Sequence, residues 1–599
     1  MALVGKPESF NQLTASPGCI SCWEVMELEY AFGMPVRPDG STYPQAGLFD
    51  WMTANANATV WNFNIRPGAK WSDGNPITSA DVNFTFGLKS GYIFGTPADF
   101  LGLGTNLVSI SVLNGSETQF NLSASQPSFG PLLAAQSYYT IVPQHILQGT
   151  NYTSTANFGQ DVTSGPFYHL AYDGGNDLVL KANPYYWNGP GVSEIDVTFV
   201  AQSSLSATLL AGNQTDLTQI TPDLISPFVN NSQYGIDAEH DRGILYLEYN
   251  VSESPFNTAP FRQALAYGID TNGIVSQIYH GYATPGVLGE GTIAPSATQW
   301  HNSSAVQYSY NVTKAKAILT AANYTYDSSG NLHYPNGTAV SFTIYTDNDV
   351  ITDYETSQLV STDLSAIGIQ TTVVAESLAT IAGDYISGSG NIRSQLVIAS
   401  NTSPIFGLGF LDIEPGFNVY FPWFYTQPAW LEPASAQSEF NNLTSIVNSS
   451  TNQTQVRQAV MGIDGLNSEN LPLIVLAYPD TIWVYRVHGF TGFPSVSSTT
   501  GFDMGAISLD PYTFSQITAV APTSTTATTT TSGQTTTTGT GTTLTSSSTP
   551  AGSSSGGGSD NTVLYAAAAI IIVIIVVGSF LGMMIRRRPR SPAEPSPNV

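Results

Sequence analysis

Residues 61–86 read WNFNIRPGAKWSDGNPITSADVNFTF and combine the signals of a strand, two tight turns and the beginning of a helix. The first residues alternate apolar and polar side chains imperfectly, as in a half-buried strand. Pro67-Gly68 and Asp73-Gly74 are turn dipeptides. Thr78 is a candidate N-cap, and Asp81, three residues later, would close a capping box. The stretch therefore predicts a strand that leads through turns into a helix.

Further strands and helices alternate along the chain. The apolar patterns predict strands and a hairpin over 107–122, 195–200, 244–250, 340–346 and 369–376. They predict helices over 259–279 and 355–366, and a shorter helix capped by Thr313. This alternation predicts an α/β fold rather than an all-β one.

The composition is poor in charge and strongly acidic. Only 10% of the 599 residues are charged, and the formal net charge is −26. Such a surface repels nucleic acid, so nucleic-acid binding is excluded. Sparse charge and few basic residues also suit acidic surroundings, which is a hypothesis about habitat.

The C-terminal part predicts a membrane anchor. Residues 522–562 are mostly Thr, Ser and Gly and predict a disordered stalk. Residues 563–585 are uncharged and long enough to cross a bilayer core of roughly 30 Å. The tail 586–599 begins with three arginines, which favours a cytoplasmic tail and an extracellular N-terminal region, 1–521. No signal peptide is visible at the beginning of this region, so we expect that the natural start lies upstream of Met1.

Two further features suit a secreted glycoprotein. Sixteen N-x-[ST] sequons occur, among them Asn57, Asn151 and Asn448. Cys19 and Cys22, the two cysteines, form one C-x-x-C, which predicts a local disulfide rather than a zinc site. The histidines are scattered and no H-E-x-x-H occurs, so no cofactor or resident metal is expected.

Four ordered motifs resemble solute-binding protein family 5, the extracellular receptors of ABC importers for oligopeptides, dipeptides and nickel. Residues 61–86 are similar to the family pattern R-x-G-x-x-[FW]-x-D-G-x-P-[IV]-T-A-x-D-V-x-[FY]-[ST]. The other three motifs are SGPFYHL with LVLKANPYYWNG (164–189), PFRQALAYGID (260–270) and YNVTKAKAILTAANY (310–324). Most of the matched residues are expected to be structural, and Arg262 and Asp270 are expected to fix their helix and its neighbours.

Together with the predicted anchor and the sequons, the resemblance is to the archaeal, C-terminally membrane-anchored type of this family. It implies a two-lobed, periplasmic-binding-protein-like α/β fold of the large type II class, with an additional inserted domain. By position, the first lobe would comprise about 1–40, 163–245 and 480–520. The inserted domain would be about 41–162, and the second lobe about 246–479. Closure of the lobes around a ligand is the expected mechanism.

The ligand segment departs from the family pattern. Peptide-binding relatives carry a segment like G-W-x-x-D-Y-x-D-P, whose first Asp pairs with the peptide's amino terminus. This chain has GLGFLDIEP, residues 407–415, with Leu408 in place of the Trp and Leu411 in place of the Asp. Asp412 lies one residue further on, and Glu414 matches near the motif's end. The resemblance therefore leaves both peptide and oligosaccharide ligands open.

Aromatic side chains around this segment favour the saccharide alternative, since sugars bind to aromatic faces and neutral hydrogen-bonding groups. The candidate ligand-binding residues are Phe410, Asp412, Glu414, Tyr420, Trp423 and Trp430. For any single aromatic residue among them, a place in the hydrophobic core is the competing interpretation.

The chain has no G-x-x-x-x-G-K-[ST] motif, so an importer would need a separate ATPase as well as a permease. Two alternatives remain. A membrane-tethered glycosidase would need paired carboxylates, with Asp412 and Glu414 the first candidates. A surface-layer or adhesion glycoprotein would suit the stalk but should contain repeats, and none is found.

Overall fold

The computed structural model describes residues 1–520, apart from 36–45, 93–105, 152–161, 287–301, 402–433, 494–510 and some shorter runs. Two compact units, Met1–Val520 and Ala521–Val599, divide the chain, and the second lies wholly outside the described residues. The predicted stalk, span and tail belong to that second unit. Within the described part of the chain, no helix combines the length and apolar character needed to cross a bilayer.

Strands and helices alternate through most of the first unit. The strands are β1 Ala2–Val4, β2 Phe49–Ala54, β3 Val60–Ile65, β4 Leu107–Val112, β5 Glu117–Leu122, β6 Phe167–His169, β7 Asp177–Ala182, β8 Glu194–Val200, β9 Leu217–Ile220, β10 Tyr234–Glu239, β11 Ile244–Tyr249, β12 Ala283–Pro285, β13 Thr325–Tyr326, β14 Leu332–His333, β15 Ser341–Asp347, β16 Gln370–Glu376, β17 Leu396–Asn401, β18 Ile474–Pro479, β19 Thr481–Arg486, β20 Phe490–Thr491 and β21 Thr518–Ala519. The α-helices are α1 Ile20–Glu29, α2 Ser79–Tyr92, α3 Phe129–Ala135, α4 Gln144–Leu147, α5 Ser203–Ala211, α6 Ala259–Gly268, α7 Thr271–Gln277, α8 Val312–Ala321, α9 Ile351–Ala366, α10 Ala434–Ser449, α11 Gln453–Asn470 and α12 Pro511–Gln516.

Two large mixed sheets organise the unit. The first has seven strands in the order β10-β19-β9-β1-β8-β7-β6. The second has six strands in the order β12-β18-β11-β17-β15-β16. A separate four-stranded antiparallel sheet, β2-β3-β5-β4, is formed by residues 49–122. The sheets fall in different segments of the chain, and the predicted domain boundaries remain a prediction.

Separate apolar cores support the two large sheets. One side of the six-stranded sheet packs on α6, α8 and α9 through buried residues such as Leu247, Phe261 and Leu364. The other side packs on α10 and α11 through Tyr246, Phe440 and Ile463. Because both faces are covered, β18 is buried at every position.

The signature stretch forms the predicted strand, turns and helix. Gly68 and Gly74 have φ of +79° and +88°, a conformation that side-chain-bearing residues rarely adopt. The main-chain N–H of Thr78 donates to Asp81 Oδ2 at 2.8 Å, which forms the predicted reciprocal half of the capping box. Asp81 Oδ1 also accepts from the main-chain N–H of Gln144 at 2.9 Å, so this carboxylate joins the starts of α2 and α4.

Two of the sequence motifs pack against each other. The guanidinium of Arg66 lies 5.4 Å from the ring centre of Trp187, and the Lys70 ammonium lies 5.4 Å from that of Tyr185. Both aromatic residues belong to the NPYYWNG segment. These cation–π contacts give the two motifs a structural role.

Two helix predictions were wrong in detail. The predicted helix over 259–279 is two helices, because the first ends at Gly268 and Asp270 caps the second by accepting from the Gly273 N–H at 3.0 Å. The cap of α8 is Asn311 rather than Thr313, since Asn311 Oδ1 accepts from the Lys314 N–H at 2.9 Å. In both cases a side chain with a carbonyl-type oxygen provides the cap.

The two cysteines are joined as predicted. Cys19 and Cys22 form a disulfide at the start of α1, with their Cα atoms 5.3 Å apart. The bridge encloses one helical turn and holds the N-cap of a helix that is buried at every position except Ile20.

Candidate ligand-binding site

The two large sheets are connected by two adjacent chain crossings. The chain passes from β10 to β11 through residues 240–243 and returns from β18 to β19 through Asp480. The Gly243 N–H donates to the Pro479 carbonyl at 3.1 Å, and the Asp480 N–H donates to the Tyr282 carbonyl at 3.1 Å. The first of these hydrogen bonds holds the two crossings side by side.

A histidine–carboxylate contact also joins the crossings. His240 Nδ1 lies 3.0 Å from Asp480 Oδ2, and the carboxylate is only 2% exposed while the imidazole is 63% exposed. Burial, and secondarily the negative charge of Asp480, raise the pKa of Tyr282. The crossings therefore hold a buried acid next to an accessible imidazole.

In the seven-stranded sheet, the carboxyl ends of the parallel strands point to these crossings. β1 runs parallel to β8, with Val4 opposite Val200. β9 is antiparallel to β19, with its last residue, Ile220, opposite Ile482 near the start of β19. Because β19 begins at the crossing, the carboxyl ends of β1, β8 and β9 all lie at that edge.

The parallel strands of the six-stranded sheet also have their carboxyl ends at the crossings. β15 is parallel to β16 and β17. Asn401, the last residue of β17, lies opposite Ile244, the first residue of β11 after the crossing. Ligands of α/β proteins bind outside the carboxyl ends of parallel strands. The two carboxyl edges at the crossings are therefore the candidate binding site.

On the first edge, a lysine and an aspartate follow directly on strands. The Gly5 N–H donates to the Val200 carbonyl at 2.8 Å, which continues the pairing of β1, and exposed Lys6 comes next. Asp223, also exposed, belongs to the 3-10 turn Pro222–Leu224 that follows β9. This edge can thus contact both an anionic and a cationic ligand group.

On the second edge, the first turn of α9 presents apolar side chains. Ile351 is 51% exposed and Tyr354 is 38% exposed, although both belong to a helix packed on the sheet. Such exposed apolar groups next to polar loop residues are typical of a binding surface.

A buried carboxylate lies beneath this turn. Asp353 is 1% exposed, and its Oδ2 accepts from the Ser400 main-chain N–H at 2.7 Å near the end of β17. Burial raises the pKa of Asp353 to about 7, despite the opposing hydrogen bonds from Ser400. Asp353 therefore fixes α9 to the carboxyl end of β17.

All six sequence-predicted ligand residues lie outside the described residues. Phe410, Asp412, Glu414, Tyr420, Trp423 and Trp430 fall in the stretch 402–433. The chain leaves β17 at Asn401, on the candidate edge, and is described again from Ala434 at the start of α10. The prediction for these six residues stays a prediction.

Sequence reasoning missed Lys6, Asp223, Ile351 and Tyr354. Each comes shortly after a strand, which is the signal that could have found them. Strand direction and neighbours, however, depend on pairings across the whole chain.

A cavity of about 260 Å³ elsewhere in the seven-stranded sheet does not belong to this site. Met1, Glu194, Asp196 and Phe493 are among its lining residues. Glu194 and Asp196 lie at the beginning of β8, so the cavity opens at the amino edge. Among the described residues, no group of three or more His, Cys, Asp or Glu side chains could hold a metal ion.

Comparison with known families decides the classification. The model of the bacterial extracellular solute-binding proteins, family 5 middle, matches residues 44–414, more than half of the chain. The chain belongs to solute-binding protein family 5. The sequence-based recognition of the family is confirmed, and its archaeal, membrane-anchored subtype remains a prediction.

Curated family 5 relatives are distant. The chain is 26% identical over 303 residues to the probable D,D-dipeptide-binding periplasmic protein of Escherichia coli, covering 49% of this chain and 57% of the relative. It is 23% identical over 272 residues to the oligopeptide-binding protein OppA of Bacillus subtilis, covering 42% of this chain and 49% of the relative. The chain thus spans about half the length of the curated relatives it matches.

Solved structures confirm the two-lobed, mixed α/β fold. The nonapeptide complex of AppA from Bacillus subtilis has a TM-score of 0.65 at 18% identity, covering 87% of this chain and 99% of that one. The mannohexaose complex of a periplasmic oligopeptide-binding protein from Thermotoga maritima has a TM-score of 0.63 at 19% identity, covering 86% of this chain and 98% of that one. The Ni(L-His) complex of NikZ from Campylobacter jejuni has a TM-score of 0.66 at 17% identity, covering 86% of this chain and 98% of that one.

Proposed function

We propose that this chain is the extracellular substrate-binding receptor of an ABC importer, which captures an oligopeptide or an oligosaccharide and delivers it to a permease. The observation that carries the proposal is the position of the carboxyl ends of both large sheets at the two crossings. Two lobes connected by adjacent crossings can close around a ligand by rotating about them. The names of the curated relatives support a binding role rather than an enzymatic one.

A peptide is one ligand class that suits the described edges. Lys6 can pair with a terminal carboxylate and Asp223 with an amino terminus, since charge-assisted hydrogen bonds are strong and directional. The oligopeptide-binding proteins of Escherichia coli and Bacillus subtilis are among the relatives. In this case Asp412 or Glu414 would add a second acidic contact.

An oligosaccharide is the second class within the same receptor function. The predicted contacts include four aromatic residues, Phe410, Tyr420, Trp423 and Trp430, whose faces can pack on sugar rings. A structural neighbour from Thermotoga maritima binds mannohexaose despite its description as an oligopeptide-binding protein. Fold alone therefore does not select between the two classes.

The proposed assembly has further parts. A permease would receive the ligand and an ATPase would drive transport, because this chain lacks a phosphate-binding loop. The helix over 563–585 would anchor the receptor, with the region 1–521 outside the cell and 586–599 in the cytoplasm. The four-stranded sheet would be the core of the inserted domain, about 41–162.

A thermal-shift screen of the compact unit Met1–Val520 tests the proposal. The ligands are peptides of about two to eight residues, beside cello-, malto- and xylo-oligosaccharides, at about pH 3 and pH 6. A ligand at 100 times its Kd stabilises the folded state by about 2.7 kcal/mol. We expect one class to raise the melting temperature with concentration. No shift in either class, or conversion of a ligand into product, would contradict the receptor function.

A further inference from the structure

The sixteen sequons differ in whether their asparagine could carry a glycan in the folded chain. Asn250 is only 6% exposed, and its Oδ1 accepts from the Ser252 main-chain N–H at 3.0 Å. The side-chain amide of Asn302 donates through Nδ2 to the Met461 carbonyl at 2.8 Å. A sugar on Nδ2 is too large for the first position, and at the second it would crowd the Met461 carbonyl, which lies 2.8 Å from that nitrogen. The fold therefore requires both asparagines to be unmodified.

Five other sequons lie at exposed turns. Asn57 is in the turn between β2 and β3, Asn213 follows α5, Asn230 precedes β10, Asn323 follows α8, and Asn336 is in the turn between β14 and β15. Within the described part of the chain, the Nδ2 atoms of these five asparagines make no hydrogen bond. We propose that these five turn asparagines carry N-linked glycans.

Turn formation alone does not explain the sequon at Asn230. Asn213, Asn230 and Asn323 have φ of +58°, +58° and +67°, and asparagine is favoured in this left-handed conformation. The turn does not require a hydroxyl two residues later, whereas the sequon does. Ser232, the hydroxyl residue of the Asn230 sequon, is exposed and makes no hydrogen bond among the described residues.

The positions of these turns agree with the candidate binding site. Asn213, Asn230 and Asn336 precede β9, β10 and β15, so they lie at the amino edges of the sheets, away from the crossings. The loops after β1, β8 and β15 contain no sequon, and the Asn230 sequon lies at the far end of the connection after β9, next to β10. Asn401, at the end of β17, is the exception at a carboxyl edge, and it is not among the five.

The modification is a glycosyl transfer from a lipid-linked oligosaccharide. The amide nitrogen forms a bond to the anomeric carbon of the sugar, and the bond from that carbon to the lipid phosphate oxygen breaks. The lipid phosphate leaves, and the amide nitrogen loses one proton. The proposal requires export of residues 1–521 but is independent of what the receptor binds.

Glycopeptide mass spectrometry of the full chain, purified from the membranes of the cells that naturally make it, tests the proposal. We expect hexose-containing adducts on the peptides that contain Asn57, Asn213, Asn230, Asn323 and Asn336. The peptides that contain Asn250 and Asn302 should have the mass of the bare polypeptide. Bare peptides at all five turns, or a glycan at Asn250, would overturn the proposal.

Two matched variants, expressed in the same cells, avoid changing the asparagines themselves. Thr338→Ala removes the Asn336 sequon at an exposed position, and we expect the intact protein to lose the mass of one glycan in addition to the substitution. Ser252→Ala removes the Asn250 sequon, and only the mass of the substitution should change. An unchanged glycan mass in Thr338→Ala would contradict the proposal for Asn336.

Discussion

Arg262 Nε donates a hydrogen bond to the main-chain carbonyl of Asn470, 2.7 Å away in the protein interior. The same guanidinium donates through Nη1 to the Phe256 carbonyl at 2.6 Å. Arg262 thereby ties α6 to the end of α11, although the two residues are 208 positions apart. This confirms the expected structural role of Arg262 in the PFRQALAYGID motif and explains why the motif says little about the ligand.

Replacing Arg262 should destabilise the protein strongly. Arg262→Met keeps much of the apolar stem but leaves two main-chain carbonyls without their donor, so we expect a loss of about 2–4 kcal/mol in the free energy of unfolding. Urea denaturation of the compact unit measures this loss. Arg457→Met, at an exposed position of α11, is the control and should cost less than about 1 kcal/mol. Equal costs for the two variants would refute the role of the buried hydrogen bonds.

The two turn glycines of the signature stretch should differ in their tolerance of alanine. Gly68 and Gly74 both have positive φ, so either substitution introduces backbone strain of about 1–2 kcal/mol. A Cβ on Gly68 would meet open space, whereas one on Gly74 would lie 3.1 Å from the ring of Tyr185. We therefore expect Gly74→Ala to lower the melting temperature more than Gly68→Ala. The opposite order would show that contact with Tyr185 is unimportant.

Asp353 should make the stability depend on pH. Its pKa of about 7 in the folded protein lies above the usual value of 3.8, because burial disfavours the charged form. The unfolded chain then ionises at lower pH than the folded chain, so stability is lost as the pH rises from about 4 to 7. Each unit of pKa shift corresponds to about 1.4 kcal/mol, so this loss amounts to about 4 kcal/mol.

Comparing the unfolding free energies of Asp353→Asn and the natural protein at about pH 4 and pH 8 measures this effect. The free energy of unfolding of the variant should increase relative to that of the natural protein as the pH rises. A difference between Asp353→Asn and the natural protein that does not change with pH would contradict the prediction.

Lys6 should contribute to ligand binding if the carboxyl edges form the site. Lys6→Gln removes an exposed charge directly after β1, and we expect about 3–10-fold weaker binding of a ligand with an anionic group, as lost charge-assisted contacts of about 1 kcal/mol imply. Titration calorimetry measures the change in Kd. The matched control is Lys181→Gln, because Lys181 pairs with Glu194 at the opposite, amino edge of the same sheet. Equal weakening by both variants would argue against the assigned edge.

Local elements could be predicted from the sequence because they depend on residues close together in the chain. The family could be predicted because its motifs are short contiguous stretches. The hairpin β4–β5 around Asn114-Gly115, the strand β15 and the end of α9 before Gly368 all agree with the predictions. The break at Asp270 could not be predicted from apolar spacing, because the spacing continues across the cap. The candidate edge could not be predicted either, because it depends on pairings such as Ile244 with Asn401, 157 residues apart in the chain. The sequence-based interpretation relied instead on 402–433, which remains untested.

The central claim is that a solute binds between the lobes and closes them. Small-angle X-ray scattering of Met1–Val520, with and without the ligand that gives the largest thermal shift, tests it most directly. The receptor function predicts a smaller radius of gyration in the presence of saturating ligand, since the lobes rotate together about the crossings at Gly243 and Asp480. An unchanged radius of gyration at saturation would contradict capture by lobe closure.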